Sequence, residues 1–344
     1  MLVLGVDAHK RSHTIVAVDS NGVQQASITI GTTTGAHLDG LQWARGCGGP
    51  RLWAVEDCRH LSRRLERDLL VAGERIVRVP PKLMANVRSS ARTFGKSDPI
   101  DALAIARAVL REPGLPVARL EGRARDVRLL ADHRESLVAE RTRVVNRLRW
   151  RVHELAPEID PRPGSLDRTS NLAKLASRLD PFDGLVARLA RNDLERCQQL
   201  TVEINAVTAE VTVMVTDLAP ALLCVVGCGP VLAAKIVGET ASVERFKSAD
   251  AYARYNGTAP VPVWSANQHR HRLSRSGNRQ LNYALHMIAV SQLRWHQPAK
   301  ELFARRKATG NSNPEALRVL KRHLSNTVYQ ALLDDSQQAQ QRAA

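Results

Sequence analysis

The sequence predicts an α/β domain, followed by long helices and then a mainly helical C-terminal region. The first part of the chain alternates short apolar runs of β type with helical patterns. Two long stretches further on carry apolar residues at heptad spacing. The last part has helical patterns separated by glycine turns. We therefore predict four segments: an α/β domain at 1–121, a helical coiled-coil insertion at 122–220, a mainly α C-terminal domain at 221–332 and a polar, frayed tail at 333–344.

The N-terminal elements follow from runs of β-branched and apolar residues. The first three runs are separated by short polar turns such as DSNG at 19–22, so they predict a meander. Helical patterns near 35–45 and 59–72 flank a fourth strand. The predicted strands are 2–7, 13–18, 26–30, 51–56 and 75–79.

The later helices are predicted by capping residues and by apolar periodicity. Asp98 suits an N-cap and Pro99 the first helical position, which predicts a helix from there to about residue 110. Apolar residues at alternating steps of three and four predict long helices at 123–155 and 185–218. Two alternatives remain for these helices, a hairpin within one chain and a dimerising coiled coil.

The charge balance is the unusual property of the composition. The 344 residues include 50 Lys and Arg against 34 Asp and Glu, a net charge of +16. With 44% apolar and 24% charged residues, disorder of the whole chain is excluded. Such a basic chain favours a polyanionic partner, nucleic acid first, although a merely well-solvated surface is the alternative.

Cysteine usage and the N-terminus indicate the compartment. The five cysteines include no CxxC pair, so zinc-site spacing is absent and a reduced cytoplasm is expected. The apolar N-terminus lacks a preceding basic stretch and contains Asp7, which predicts a buried strand, not a signal peptide. No apolar run approaches the ~18–20 residues of a membrane span.

Four carboxylates are candidates for metal chemistry. Asp7 and Glu56 each end a predicted strand, while Asp98 and Asp101 lie three apart and share one face of a helix. Carboxylates in a shared site raise one another's pKa, and divalent cations relieve this repulsion. Mg²⁺ prefers oxygen ligands and suits phosphate chemistry. Alternatively, the aspartates of the helix are only a cap and a favourable first-turn charge, and Asp57 could replace or assist Glu56.

Basic residues are candidates for phosphate contacts. The segment 266–280 contains no acid, and its arginines predict a basic loop that holds a nucleic-acid backbone. A second basic run lies on a predicted helix, where the polar side of a coiled coil is the alternative. Lys235 follows a helix-hairpin-helix-like turn at 227–230, which resembles a phosphate-binding turn but equally a plain helix start. The arginines concerned are Arg270, Arg272, Arg275 and Arg279 in the loop and Arg141, Arg143, Arg147, Arg149 and Arg151 on the helix.

Ser265 is the candidate nucleophile. It stands at the head of the predicted basic loop, where a serine beside phosphate-binding arginines could attack phosphorus. Ser274 and Ser276 compete for this role in the same loop.

The motifs together resemble a known family. GVDAHK around Asp7, VEDC around Glu56 and KSDPIDALAIA around the aspartate pair resemble the DEDD motif of the RuvC-like domain. That domain begins the transposases of the IS110 insertion-sequence family and the related pilin-gene invertases. VVGCGPVLAAKIVGE, FKSADAYARYNGTAP and HRLSRSGNRQLNYALHMIA resemble the family's C-terminal transposase domain. The resemblance extends from residue 2 to about residue 332.

The resemblance implies a fold, a cofactor and partners. It implies an RNase H-like N-terminal domain whose Asp7, Glu56, Asp98 and Asp101 bind Mg²⁺. Ser265 occupies the position of the family's catalytic serine, which forms a transient phosphoserine link to DNA, although Ala266 follows here where the family usually has glycine. It further implies donor and target DNA, a bridge RNA that selects both by base pairing, a homo-oligomer (dimer or tetramer) and a bacterial, nucleoid-associated location.

The implied activity is therefore that of a DNA transposase or recombinase. One rival is a RuvC-like nuclease in which water attacks and no covalent link forms. The other rival is a catalytically dead nucleic-acid-binding protein. The positive net charge agrees with both rivals, whereas the set of four carboxylates weighs against the catalytically dead protein.

Overall fold

The structure is a computed structural model, and it divides into two compact units. It describes residues 1–56, 61–80, 83, 97–112, 114–115, 117–119, 122–265, 268–272 and 277–343, with side chains throughout except at 262–272 and 343. The units are Met1–Leu120 and Glu121–Ala344. Each is described by itself below.

The N-terminal unit is built on a five-stranded mixed sheet of order β3-β2-β1-β4-β5. Only β2 runs against its neighbours, since it pairs antiparallel with β1 and β3, while β1, β4 and β5 are parallel. This order and these directions are those of an RNase H-like sheet, as the family resemblance implies. The strands are β1 Leu2–Ala8, β2 Ser12–Val18, β3 Gln24–Gly31, β4 Arg51–Glu56 and β5 Ile76–Val79.

Helices cover both faces of this sheet. Helices α1 (Thr34–Gly46) and α2 (Arg63–Val71) bury leucines against one face. Helix α3 (Asp98–Arg111) buries an alanine-rich side against the other. Since both faces are covered, β1 and β4 are near-continuously apolar, as is typical of central parallel strands.

A glycine sets how closely α3 approaches the sheet. A Cβ added at Gly5 of β1 would lie 2.0 Å from the carbonyl oxygen of Ala102 and 2.7 Å from the backbone nitrogen of Ala106. The helix backbone therefore rests directly on the strand, which only glycine at this position allows. This contact places the start of α3 beside the end of β1.

A buried histidine pair gives the first unit a predicted acid sensitivity. His13 of β2 is 1% exposed, its ring lies 5.3 Å from that of His37, and His37 Nδ1 lies 2.8 Å from Asp68 Oδ2. Burial, together with the charges of His37 and His9, lowers the pKa of His13 to about 4 from 6.5.

We expect the free energy of unfolding to fall by about 3 kcal/mol between pH 6.5 and pH 4 because of His13. The folded state binds fewer protons than the unfolded state in this window, so acid favours unfolding. Urea titrations at several pH values, followed by circular dichroism, measure this. His13→Gln should flatten the pH dependence, whereas His153→Gln, at an exposed position, should keep it; a slope unchanged in His13→Gln would contradict the assignment.

Two long helices dominate the second unit. Helices α4 (Arg123–Leu155) and α6 (Leu185–Leu218) match the predicted ranges and pack against each other within the chain. They run antiparallel, since Arg123 near the start of α4 pairs with Asp217 near the end of α6, while Glu140 pairs with Arg196. The chain thus shows the hairpin that the sequence left as one of two alternatives. A shorter helix that the sequence analysis did not predict, α5 (Thr169–Leu179), lies in their connection.

The remaining helices enclose a second core. Its buried residues come from the start of α4, the end of α6 and the chain that follows, with Tyr252 wholly buried among them. These helices are α7 Pro220–Leu223, α8 Pro230–Thr240, α9 Ala249–Tyr255, α10 Arg279–Trp295, α11 Gln297–Ala308 and α12 Asn313–Ala343. No helix in the described ranges has the length and apolar character needed to traverse a bilayer.

Two expectations for this unit are corrected. The predicted basic loop is partly an antiparallel hairpin, β6 (Val261–Ser265) with β7 (Gln268–Arg272). The predicted frayed tail continues α12. Asp335 in that tail is buried and accepts hydrogen bonds from the backbone N–H groups of Ala221 and Leu222, so it holds the start of α7.

Candidate active site

The strand register brings Asp7 and Glu56 to the same edge of the sheet. In the parallel pair of β1 and β4, Val6 lies opposite Val55, so Asp7 and Glu56 are the next residues along the two strands. Side chains alternate along a strand. Because Gly5 touches α3, Asp7, two residues further on, belongs to the same face. Ala54 of β4 belongs to the core cluster on that face, so Glu56, two residues further along β4, lies on the same face.

Helix α3 brings the aspartate pair to this edge. Ser97 takes the N-cap position with an extended backbone, and Asp98 and Asp101 both lie in the first turn. The sequence predicts Asp98 as the N-cap, one residue later than the N-cap in the structure. Asp101 is buried, and Asp98 is exposed.

A histidine completes the cluster. His9 Nε2 lies 3.0 Å from Asp7 Oδ2 and 3.4 Å from Asp98 Oδ1. One ligand atom from each of these three side chains lies within 4.8 Å of the others. His9 is not among the residues that the sequence predicts for the site, although an Asp-x-His spacing at a strand end is a signal for it, since residues two apart share a side. Oxygen and imidazole donors at this separation fit a divalent cation.

The electrostatics of the cluster favour a bound cation. Burial raises the pKa of Asp7; His9 lowers it by charge and hydrogen bonding, and the charges of Asp101 and Asp98 raise it. A buried carboxylate beside two further carboxylates is costly when ionised. A divalent cation between them would remove this cost.

The hairpin of β6 and β7 carries the predicted nucleophile. Ser265 is the last residue of β6 and lies opposite Gln268. The residues before and after the hairpin meet, since Gly277 has a φ of +101° and an added Cβ there would lie 2.8 Å from Tyr255 O. The backbone N–H of Asn278 donates to that same oxygen over 2.6 Å. Some residues named in the sequence analysis lie outside the described residues, namely Asp57, Ala266, Ser274, Arg275 and Ser276.

The predicted phosphate-binding residues fall into two groups. On α4, four arginines form ion pairs with acids of the chain, which favours the structural alternative for them: Arg141 with Asp167, Arg147 and Arg151 with Asp193, and Arg149 with Asp160. Lys235 pairs with Glu135 at 2.8 Å and donates to Gln280 at 2.7 Å.

The other basic residues are placed differently. Arg143 is exposed, with no ion pair in the described part of the chain. Arg270 and Arg272 lie on β7, and Arg279 begins α10 with an exposed side chain.

The glycine turn before α8 contributes to packing. Gly227 has a φ of +85°, and an added Cβ there would lie 3.1 Å from Ser291 Cβ on α10. Gln292 Nε2 donates to the carbonyl of Val226 over 2.8 Å. The turn is thus fixed against α10, and its predicted phosphate contact stays a prediction.

Comparisons with known proteins agree with the order of these motifs. A transposase family profile, the DEDD domain of IS110 elements, matches residues 4–157, and the profile described as "Transposase IS116/IS110/IS902 family" matches residues 219–304. The chain is 26% identical to the insertion element IS116 44.8 kDa protein of Streptomyces clavuligerus, over 96% of this chain and 94% of that protein. It is 24% identical to the insertion element IS900 42 kDa protein of Mycobacterium paratuberculosis, over 96% of this chain and 95% of that protein.

A solved structure is also similar in part. The T. thermophilus RuvC, solved in complex with a Holliday junction substrate, shares 17% identity over 31% of this chain and 91% of that chain, with a TM-score of 0.25. The assignment of the N-terminal fold therefore rests on the strand order and directions given above.

Proposed function

The chain belongs to the IS110 family of insertion-sequence transposases and is a DNA transposase, and we propose that it breaks and rejoins DNA strands with a divalent cation and a serine nucleophile. The cation is Mg²⁺ in this proposal, and the nucleophile is Ser265. The ligands are the carboxylates of Asp7, Glu56, Asp98 and Asp101.

The observation that carries the proposal is the convergence of Asp7, His9 and Asp98 within 4.8 Å at the strand ends. The register of β1 and β4 supports including Glu56, and the place of Asp101 in the first turn of α3 supports including that residue. A bound divalent ion supplies positive charge that stabilises the charge developing on a scissile phosphate. The carboxylates fix the place of that charge, and His9 holds Asp7 and Asp98 in position by contacting both.

In the serine step, a phosphoserine bond replaces one bond of the DNA phosphodiester. Ser265 Oγ attacks phosphorus and loses its proton to a base or to solvent, while the bond from phosphorus to the departing deoxyribose oxygen breaks and that oxygen takes up a proton. The phosphoserine ester keeps the energy of the broken bond. Attack by a second DNA hydroxyl then reverses the chemistry and rejoins a strand.

The partners follow from charge and from the family. A net charge of +16 supports binding to DNA and RNA backbones. We include in the proposal a bridge RNA that pairs with donor and target DNA, and a homo-oligomer, dimer or tetramer, whose protomers share sites.

Replacing the serine tests the covalent step. Wild-type protein, incubated with its element's RNA, Mg²⁺ and end-labelled donor DNA, should give a protein–DNA adduct on a denaturing gel. We expect Ser265→Ala to give none, because alanine lacks the attacking oxygen. Ser274→Ala and Ser276→Ala are the matched controls and should retain the adduct.

Other outcomes would assign the chain differently. An adduct undiminished in Ser265→Ala would contradict the assignment of the nucleophile. Free cleaved ends without any adduct in the wild type would support the hydrolytic nuclease. Binding without strand breakage in Mg²⁺ would support a non-catalytic nucleic-acid-binding protein.

A further inference from the structure

A buried lysine in the second unit has no acidic partner. Lys321 of α12 is 8% exposed, and its ammonium donates to Asn282 Oδ1 over 2.6 Å. Across the residues that the structure describes, no carboxylate forms an ion pair with it. Buried lysines are ordinarily paired with acids, because an isolated charge is costly to remove from water.

The surroundings of Lys321 are positive. Arg279, Asn282 and His286 follow one another on α10 at spacings of three and four, so they share the helix face that meets Lys321. Burial and the charge of Arg279 lower the pKa of Lys321 to about 8. Burial and the charge of Lys321 in turn lower the pKa of His286. Among the described residues, Lys321 and Arg279 therefore lie near each other, and no acidic side chain forms an ion pair with either.

A network of hydrogen bonds fixes this place in the fold. Asn282 Nδ2 donates to the carbonyl of Asn256 over 2.9 Å, and Asn256 Nδ2 donates to the buried Ser325 Oγ over 2.8 Å. Asn256 Oδ1 accepts from the hydroxyl of Thr258 over 2.6 Å. Because Thr258 leads directly into the hairpin of β6 and β7, the lysine is held beside the base of the hairpin that carries Ser265.

We propose that Lys321 and Arg279 together bind one phosphate of the DNA backbone beside the base of the β6–β7 hairpin. This inference rests on the proposed function, in which the hairpin that carries Ser265 acts on DNA. A phosphate supplies the missing negative charge. The exposed Arg279 offers a planar pair of hydrogen-bond donors, and the buried Lys321 offers a point charge.

Salt-dependent binding tests the site. The affinity of a labelled DNA duplex is measured by fluorescence anisotropy between 50 and 200 mM NaCl, for wild type, Lys321→Gln and Arg279→Gln. We expect each variant to bind about five- to tenfold more weakly at low salt and to lower the slope of log K against log salt by about one. Lys321→Arg should restore most of the affinity. Lys174→Gln, an exposed lysine of α5, is the matched control and should keep the wild-type slope.

A thermal melt separates binding from structure. In the absence of DNA, Lys321→Gln should be as stable as the wild type or more stable, since glutamine can still donate to Asn282 and the unpaired charge is gone. A lower Tm in Lys321→Gln would make the lysine structural and overturn the inference. So would a wild-type salt slope in both variants, or a loss confined to an RNA duplex of equal length. Failure of the wild type itself to bind DNA would instead overturn the proposed function.

Discussion

Asp7→Asn is expected to lower DNA strand cleavage by at least about 10³-fold and, in the absence of metal, to raise the Tm. The loss of activity follows because a metal site supplies several kcal/mol of transition-state stabilisation, and about 1.4 kcal/mol corresponds to a factor of ten. The gain in stability follows because Asp7 is buried beside Asp98 and Asp101, which raises its pKa. An amide at this position removes the repulsion, and its oxygen can still accept from His9.

Adding Mg²⁺ should reverse the order of the two melting temperatures. The wild type gains RT ln(1 + [Mg²⁺]/Kd), about 2.7 kcal/mol at a hundredfold excess over the dissociation constant, whereas the variant loses most of this gain. Differential scanning calorimetry with EDTA and then with Mg²⁺ measures both values, and the cleavage assay uses the same samples.

Asp39→Asn is the matched control for this experiment. Asp39 is an exposed aspartate of α1 in the same unit, so the chemical change is identical and lies outside the cluster. It should leave cleavage and the response to Mg²⁺ unchanged. If Asp7→Asn melted below the wild type in EDTA, the carboxylates would not repel one another, and the metal site would be in question.

The sequence predicted the elements that a local pattern specifies. The long helices were predicted at the ranges that the structure shows, because apolar residues repeat at heptad spacing without glycine or proline in between. The sheet strands were predicted to within about two residues, since β-branched runs ended at polar turns. Asp7 and Glu56 were informative because a carboxylate at the end of an apolar run is not explained by burial.

Contacts between distant parts of the chain were not predictable in this way. Arg147 and Arg151 looked like a basic stripe, and only the folded hairpin shows that Asp193, more than forty residues away, pairs with both. Lys321 lies in a basic stretch that a single sequence cannot distinguish from a solvated face. The sequence predicts a loop where the β6–β7 hairpin lies, because its arginines and histidines carry little β signal.

Gly5→Ala is expected to have the second large effect, and it tests whether the approach of α3 to the sheet sets the geometry of the site. The methyl group would meet the backbone of Ala102 and Ala106, neither of which can move without moving the helix. Overpacking of this kind costs about 3 kcal/mol. A shift of about 1 Å in Asp98 relative to Asp7 would lower cleavage by about 10²-fold.

Gly35→Ala is the control, and its expected effect on stability is opposite in sign to that of Gly5→Ala. Comparing the two variants separates the effect of packing from the effect of helix propensity. Gly35 lies in α1 with no heavy atom within 4 Å of an added Cβ. Alanine there should leave cleavage unchanged and keep or slightly raise the free energy of unfolding, because alanine favours a helix over glycine. Urea titration and the cleavage assay measure both variants. Because α3 makes its closest approach to the sheet at Gly5, a Gly5→Ala protein with wild-type stability and cleavage would show that this contact does not determine the site, even if the carboxylates still bound Mg²⁺.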